Sequence, residues 1–297
     1  MSTSSPVSLS VVVTTYEWPE ALDVCLRSLS EQRDEDFEVV LADDGSGPET
    51  AAVVERWQSA FPVRLVYVRQ EDEGWRQARG RNLGALSSQG DYLVFLDGDA
   101  LVRRGFVQAV RRAGLPGWFL ASKRLNLSSH LSTRVLEDEL PVWRWSALRW
   151  LVTHPGELVS PARPRERNRP GVLLPLRDRR RPWRGGSEEF SPPHNGYGFL
   201  TGVSRADLER VNGFDASYVG WGEEDVDMGL RLRRAGLRCG WAGPQTSLLH
   251  LWHPDRNETS SGNWPLYRET EASGRVGAVE GLRELRRELA QERVSRA

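Results

Sequence analysis

Val7-Ser8-Leu9-Ser10-Val11-Val12-Val13-Thr14 is the stretch on which the fold turns. It is β-branched and almost unbroken in apolar residues, the pattern of a strand covered on both faces. The next eighty residues keep a regular beat. Pro19 suits the first turn of a helix over residues 19–30, with Ala21, Leu22, Cys25, Leu26 and Leu29 on one stripe. Residues 37–41 predict a second strand, 48–59 a helix, 63–68 a third strand, 76–87 another helix and 92–96 a fourth strand. Strands and helices alternating at this spacing imply parallel strands with right-handed crossovers, an α/β fold with a mostly parallel central sheet flanked by helices.

Ligands of such sheets sit beyond the carboxyl ends of the strands, and the polar residues of this half gather there. Thr14, Thr15 and Tyr16 follow the first strand, Asp43 and Asp44 the second, Asp97 and Asp99 the fourth. Arg76, Arg79 and Asn82 lie on or just before one helix. The spacing of Arg79 and Asn82 puts those two on one face, and guanidinium is a natural partner of phosphate.

Beyond residue 101 the pattern loosens. A short helix over 106–113 and a strand over 118–122 precede a Trp- and Arg-rich segment from about 126 to 194. Its residues 131–184 hold twelve arginines, no lysine and six acids, with Trp143, Trp145, Trp150 and Trp183 interleaved. Trp143, Trp145 and Trp150 run together with Leu148, Leu151 and Val152 as in a short amphipathic helix, whereas 161–184, rich in Pro and Arg, equally fits a solvated insertion. A strand at 199–203 and a helix at 205–211 restore order before Gly213-Phe214-Asp215.

Gly220-Trp221-Gly222-Glu223-Glu224-Asp225-Val226-Asp227 comes next. Four acids in five positions open a helical run that Gly236 can end, with three arginines in its last turns, an order that suits the helix dipole. On charge alone this is an ordinary surface helix. A Trp between two glycines adds a tight turn and a flat apolar face for a ligand ring. Residues 247–249 predict a strand leading into His250-Leu251-Trp252-His253-Pro254, which contains two of the chain's five histidines. Carboxylates just past a strand end can hold a divalent cation, and Asp99 is the first candidate ligand. His253 and His250 are the imidazole candidates. Oxygen with imidazole favours Mn2+ over Ca2+, with Mg2+ as the second choice.

These motifs carry a resemblance. Val-Val-Thr-Thr-Tyr, Asp-Asp-Gly-Ser, Arg-Gly-Arg-Asn-Leu-Gly and Leu-Asp-Gly-Asp-Ala stand in the order and at the distances seen in family 2 glycosyltransferases of the GT-A fold. The Trp-Gly acidic stretch resembles the corresponding motif of β-1,4-galactosyltransferases, polypeptide N-acetylgalactosaminyltransferases and chondroitin-type polymerases. The resemblance implies a single domain of two abutting lobes: a nucleotide-sugar lobe at 1–100, an acceptor and catalytic lobe at 101–265, and a helical tail at 266–297. It further implies Asp225 as catalytic base with Glu224 beside it, and Trp221 facing the sugar. Thr14, Tyr16, Asp43 or Asp44, and Arg76 then serve the nucleotide, Asp97 the ribose or a metal-bound water, and His253, ahead of His250, the metal. Glu223 departs from the pattern, standing where many relatives have Gly, and Val226 stands where they have an acid. A base opposite a departing diphosphate would invert the anomeric centre.

The partners implied are a nucleotide-sugar donor, UDP before GDP or dTDP, and a glycan or lipid-linked glycan acceptor. The Arg- and Trp-rich segment would be a lid or acceptor platform, its tryptophans stacking on sugar rings or resting peripherally on a membrane surface. Two other readings compete. A sugar nucleotidyltransferase would carry a Gly-rich basic loop after the first strand, where this chain has Thr14-Thr15-Tyr16-Glu17-Trp18. A silent carbohydrate-binding protein on the same scaffold would not need Asp99, Asp225 and His253.

Composition sets bounds on function. Of 297 residues, 39% are hydrophobic and 27% charged, and forty basic against forty-one acidic residues leave a net charge of −1, which argues against a nucleic-acid partner. Met1 to Ser5 lack the marks of a signal peptide, no apolar run approaches a spanning helix, and Cys25 and Cys239 read as buried thiols. A cytoplasmic protein is expected, in reach of the inner face of the membrane.

Overall fold

The computed structural model describes residues 8–114, 116–159, 161–163, 166–167, 173, 200–240, 243–254 and 262–295. The opening strand forms as β1 (Leu9–Thr15), with every residue buried. It is followed by α1 (Pro19–Ser30), β2 (Phe37–Asp43), α2 (Pro48–Ala60), β3 (Leu65–Arg69), α3 (Gln77–Ser87) and β4 (Tyr92–Asp97). β1 pairs in parallel with β2 and β4, and β2 in parallel with β3. The unbroken apolar run of β1 is explained by the two faces it serves. Val11 and Val13 pack with Leu22, Leu26 and Val54 of α1 and α2, while Val12 packs on the opposite side with Ala78 and Ala85 of α3. α3 lies close on the sheet because residue 84 is Gly: a Cβ there would come within 2.4 Å of a Val12 methyl.

The second half supplies β5 (Ala100–Val102), α4 (Phe106–Ala113), β6 (Trp118–Ala121), β7 (Arg124–Asn126), α5 (Ser129–Leu136), α6 (Ala147–Thr153), α7 (Pro155–Val159), the short pair β8 (Pro161–Arg163) and β9 (Glu166–Arg167), and β10 (Leu200–Ser204). It continues through α8 (Arg205–Arg210), α9 (Glu224–Arg234), β11 (Arg238–Gly240), β12 (Leu248–His250), α10 (Trp264–Ser273) and α11 (Leu282–Ser295). One seven-stranded sheet runs β11-β6-β10-β4-β1-β2-β3, with β10 antiparallel to both neighbours. The sheet thus crosses residue 100 without a break. A smaller sheet, β5-β12-β7, holds His250 directly opposite Ala100, the residue after Asp99.

Residues 266–295 are largely helical and pack on the rest of the chain: Tyr267 and Thr270 of α10 and Leu282 and Leu285 of α11 are buried, and Arg79 of α3 pairs with Glu288 of α11. Two expectations are corrected. The tryptophans at 143, 145 and 150 are core residues, neither a sugar-stacking nor a bilayer surface. Trp145 and Trp150 meet edge to face at 5.0 Å, and the helical register of α6 turns Trp150 inward and Leu148, Leu151 and Val152 outward. Of the two free cysteines, Cys25 is buried but Cys239 is only half-buried. Trp183, Phe199 and nearly all of 160–199 lie outside the described residues. Among those described, no helix is long and apolar enough to cross a membrane.

Candidate active site

The carboxyl ends of β1, β2 and β4, the start of α9 and the end of β12 meet at one edge of the sheet. A cleft there is lined by Asp97, Asp225, Arg81, Arg124 and His250, among others. Asp97, the last residue of β4, accepts hydrogen bonds from Gln77 Nε2 (2.6 Å), Arg81 (3.0 Å) and Thr14 Oγ1 (3.3 Å), so three donors from α3 and β1 converge on one carboxylate oxygen.

Arg81 is the residue that ties the site together, and no expectation from the sequence included it. Only 3% exposed, it extends one guanidinium nitrogen to Asp97 and another to Glu224 Oε1 at 2.8 Å, and it lies 5.2 Å from the centre of the Phe214 ring. Burial works against its charge, but the carboxylates of Asp97, Glu224 and Asp225 outweigh burial and push its pKa up. The signal was present in Arg-Gly-Arg-Asn-Leu-Gly. Gly80 and Gly84 mark the face of α3 that lies on the sheet, and Gln77 and Arg81, four residues apart, flank that face at the site edge.

The acidic turn is built on unusual backbone. Gly220 and Gly222 have φ of 85° and 95°, and Glu223, the residue before α9, has φ of 69°, the left-handed region where a side chain is strained. Asn263 Nδ2 donates to the Gly222 carbonyl at 2.9 Å, and the Gly220 N–H donates to the Trp75 carbonyl at 2.8 Å. Trp221 stands out 47% exposed. Burial raises the pKa of Glu224 to about 7, aided by Asp225 and opposed by Arg81, and burial with the charge of Glu224 raises Glu223 to about 7. Asp225 is also raised, first by burial and then by Asp97, against the pull of Arg81 and Arg124. Glu224 is committed to Arg81, whereas Asp225 lines the cleft. Farther along α9, the buried pair Asp227–Arg231 (2.7 Å) anchors the helix, with Arg231 also donating to the Val211 and Gly213 carbonyls.

Asp99 Oδ2 lies 3.5 Å from His250 Nε2 and 3.7 Å from His253 Nε2. One ligand atom from each of the three falls within 4.8 Å of the others. One carboxylate with two imidazoles is a donor set that a borderline divalent cation accepts, so the residues present fit a bound Mn2+. Both histidines reach the cluster, and the sequence-based preference for His253 has no counterpart in the geometry. Asp97 belongs to the neighbouring cleft rather than to this cluster.

On the nucleotide side the candidate residues hold the following partners within the protein. Asp43 accepts from the Ser46 N–H (2.9 Å) and Tyr67 Oη (2.6 Å), and so braces its own turn. Asp44 receives the Arg76 N–H at 2.8 Å and the Gln70 amide, and burial raises its pKa. The Arg76 guanidinium turns to Glu73 and the Glu71 carbonyl. Tyr16 stays exposed at the edge, 3.5 Å from Asp72. Arg79, partly buried, and Asn82, fully buried, both hold partners within the protein. Asn82 gives its amide to the Phe214 carbonyl (2.7 Å) and accepts the Phe214 N–H (2.9 Å), while Arg79 points at Gln70 and Glu288.

Residues 10–113 match the model for glycosyl transferase family 2, and residues 185–253 match that for the N-terminal domain of galactosyltransferase. Residues 10–113 of the chain are a glycosyl transferase family 2 region. It is 33% identical over 244 residues to validoxylamine A glucosyltransferase of Streptomyces hygroscopicus subsp. jinggangensis, covering 80% of this chain and 54% of that protein. Chondroitin synthase of Escherichia coli is 26% identical over 278 residues, covering 85% of this chain and 36% of the synthase. The chain therefore spans about half or less of the length of these relatives. Among solved structures, S. aureus TarS 1–349 in complex with UDP superposes with a TM-score of 0.55 at 15% identity, over 90% of this chain and 65% of that one. Mannosyltransferase PcManGT from Pyrobaculum calidifontis, in complex with GDP-Man and Mn2+, gives 0.54 at 20% identity, over 89% and 61%. The fold is the GT-A fold of the family.

Proposed function

We propose that the chain is an inverting glycosyltransferase that moves a sugar from a nucleotide diphosphate donor, a UDP-sugar, to a hydroxyl of a glycan or lipid-linked glycan. The observation that carries this is the meeting of Asp225, Asp97 and the Asp99–His250–His253 cluster at the carboxyl edge of the sheet, where α/β folds bind their ligands. Support for UDP comes from the complexes of S. aureus TarS with UDP and with UDP-GlcNAc, and support for a hydroxyl-rich ring acceptor from the names of two relatives, validoxylamine A glucosyltransferase and chondroitin synthase.

The acceptor hydroxyl attacks the anomeric carbon from the face opposite the diphosphate. As the new C–O bond forms, the bond from that carbon to the diphosphate oxygen breaks and its electrons leave with the diphosphate, so the centre inverts. The hydroxyl proton passes to the Asp225 carboxylate. A raised pKa gives Asp225 more affinity for that proton than an exposed aspartate has, while the start of α9 and Arg81 keep the carboxylate form accessible. Asp99, His250 and His253 would hold Mn2+, or Mg2+ in its place, which when bound supplies charge relief to the departing diphosphate. Thr14, Tyr16, Asp44 and Arg76 remain the residues proposed for the nucleotide.

The peripheral membrane contact proposed for the Trp-rich stretch narrows, within the described residues, to Leu148, Leu151 and Val152 on α6. A cytoplasmic location, where nucleotide sugars are made, completes the proposal. It is tested by incubating the chain with UDP-glucose, UDP-galactose, UDP-N-acetylglucosamine, UDP-N-acetylgalactosamine, UDP-glucuronate and GDP-mannose, with and without Mn2+. Metal-stimulated release of UDP from at least one donor is expected. No nucleotide release from any of them, together with no UDP binding, would overturn the reading.

A further inference from the structure

α9 and α10 lie side by side and point the same way. At their starts Asn263, the residue before α10, donates from Nδ2 to the carbonyls of Gly222 (2.9 Å) and Trp221 (3.5 Å). At their ends Arg234 donates to the carbonyls of Thr270 and Glu271, both at 2.7 Å. In between, Tyr218 Oη lies 3.3 Å from Asp227 Oδ1 and 3.5 Å from Thr270 Oγ1. Parallel packing puts the first residue of α10 at the same end as the first turn of α9, and therefore at the end that carries Asp225. That first residue is Trp264.

Trp264 is 44% exposed, a costly state for the largest apolar side chain. It is not loose. Its indole stacks on buried Tyr267 with ring centroids 5.3 Å apart and planes 25° apart, so one face is set against the core while much of the ring stays exposed. Pro265 follows it and restricts the backbone at the helix start. The neighbouring turn exposes Trp221 to 47%, and the side chain of Asn263 joins the two backbones. Two exposed indoles at the end of α9 that carries the proposed base suit stacking against the C–H faces of sugar or cyclitol rings.

We propose that Trp264 is a binding residue for the acceptor: it floors a ring next to the one that carries the reacting hydroxyl, while Trp221 floors the reacting ring. This rests on reading the cleft as a site of glycosyl transfer. The acceptor class it selects is a saccharide or pseudo-saccharide of at least two rings, with the second ring recognised by its apolar face rather than by charge.

The test titrates methyl β-D-glucopyranoside, cellobiose and N,N′-diacetylchitobiose into the full chain in the presence of UDP and Mg2+, followed by saturation-transfer NMR. In the wild type a disaccharide is expected to bind several-fold more tightly than the monosaccharide. Trp264→Ala should weaken that disaccharide about tenfold, the loss of one stacked ring face. UDP and monosaccharide affinity should stay within about twofold, and Trp264→Phe should recover most of the loss. Disaccharide binding unchanged in Trp264→Ala, or absent from the wild type while UDP binds, overturns the assignment of Trp264 alone. Failure of the wild type to bind UDP removes the transfer reading beneath it, and the proposal with it.

Discussion

Arg81 Nη1 lies 2.8 Å from Glu224 Oε1, a bond between residues 143 apart in the chain, both buried. Through it the helix that follows the third strand holds the turn that carries the proposed base, and a second nitrogen of the same guanidinium holds Asp97. Removing the guanidinium would take from Asp97 and Glu224 the cation that they share. Arg81→Ala is therefore expected to destabilise the fold by about 3–5 kcal/mol, the scale for breaking a buried pair from one side. Arg81→Lys, which keeps charge but not the fork, should fall in between. Urea unfolding of the three proteins measures this, and an Arg81→Ala loss below about 1 kcal/mol would show that the bridge carries little.

Asp225→Asn keeps the shape of the site and removes the acceptor for the proton. Transfer should fall by at least about a hundredfold with UDP affinity unchanged. Because burial and Asp97 raise the Asp225 pKa, wild-type kcat/KM should still climb with pH above the ordinary carboxylate range, and the asparagine variant should lose that limb. A variant within a few fold of the wild type would move the base elsewhere, Glu224 being the first alternative.

Asp99→Ala, His250→Ala and His253→Ala should each weaken UDP binding in Mn2+ while leaving metal-free UDP binding alone, since all three donor atoms fall within 4.8 Å of one another. Calorimetry with and without the ion gives the difference directly. A histidine whose loss leaves Mn2+-dependent affinity intact is not a ligand.

Much of the fold and part of the site are legible in the sequence, for reasons that separate the successes from the misses. β1, α1 and β2 announce themselves because burial on both faces of a sheet leaves a local signature in Val11, Val12, Val13 and the stripe Leu22, Cys25, Leu26. Asp97 and Asp99 are legible because strand ends in this architecture face the ligand edge. Arg81 is not, because its role depends on Glu224, and no local pattern reports a partner so distant. For Asn82 the sequence shows only that it shares a helix face with Arg79, and not that its amide is taken up by the backbone of Phe214. Trp143, Trp145 and Trp150 mislead for a related reason. Indoles among arginines mark a surface platform only if the indoles face out, and that depends on whether neighbouring elements cover them.

Glu223 combines two costs in one residue. Its φ of 69° strains any residue with a Cβ, and its carboxyl, half-buried next to Glu224, has a pKa of about 7 against an ordinary 4.5. Proton counting gives the sign. Between about pH 4.5 and 7 the folded chain holds a proton at this group that the unfolded chain has released, so its contribution to stability falls as pH rises through that window. Glu223→Gly removes both costs and should stabilise the protein by about 0.5–1 kcal/mol from the backbone alone. A further gain should be seen at pH 7.5 but not at pH 4.5. Glu223→Ala removes only the carboxyl, so it should show the pH-dependent gain without the backbone gain. Urea unfolding at the two pH values separates the terms. If Gly proves no more stable than Ala, the left-handed backbone is not strained. If neither variant gains more at the higher pH, the carboxyl titrates as an exposed one would.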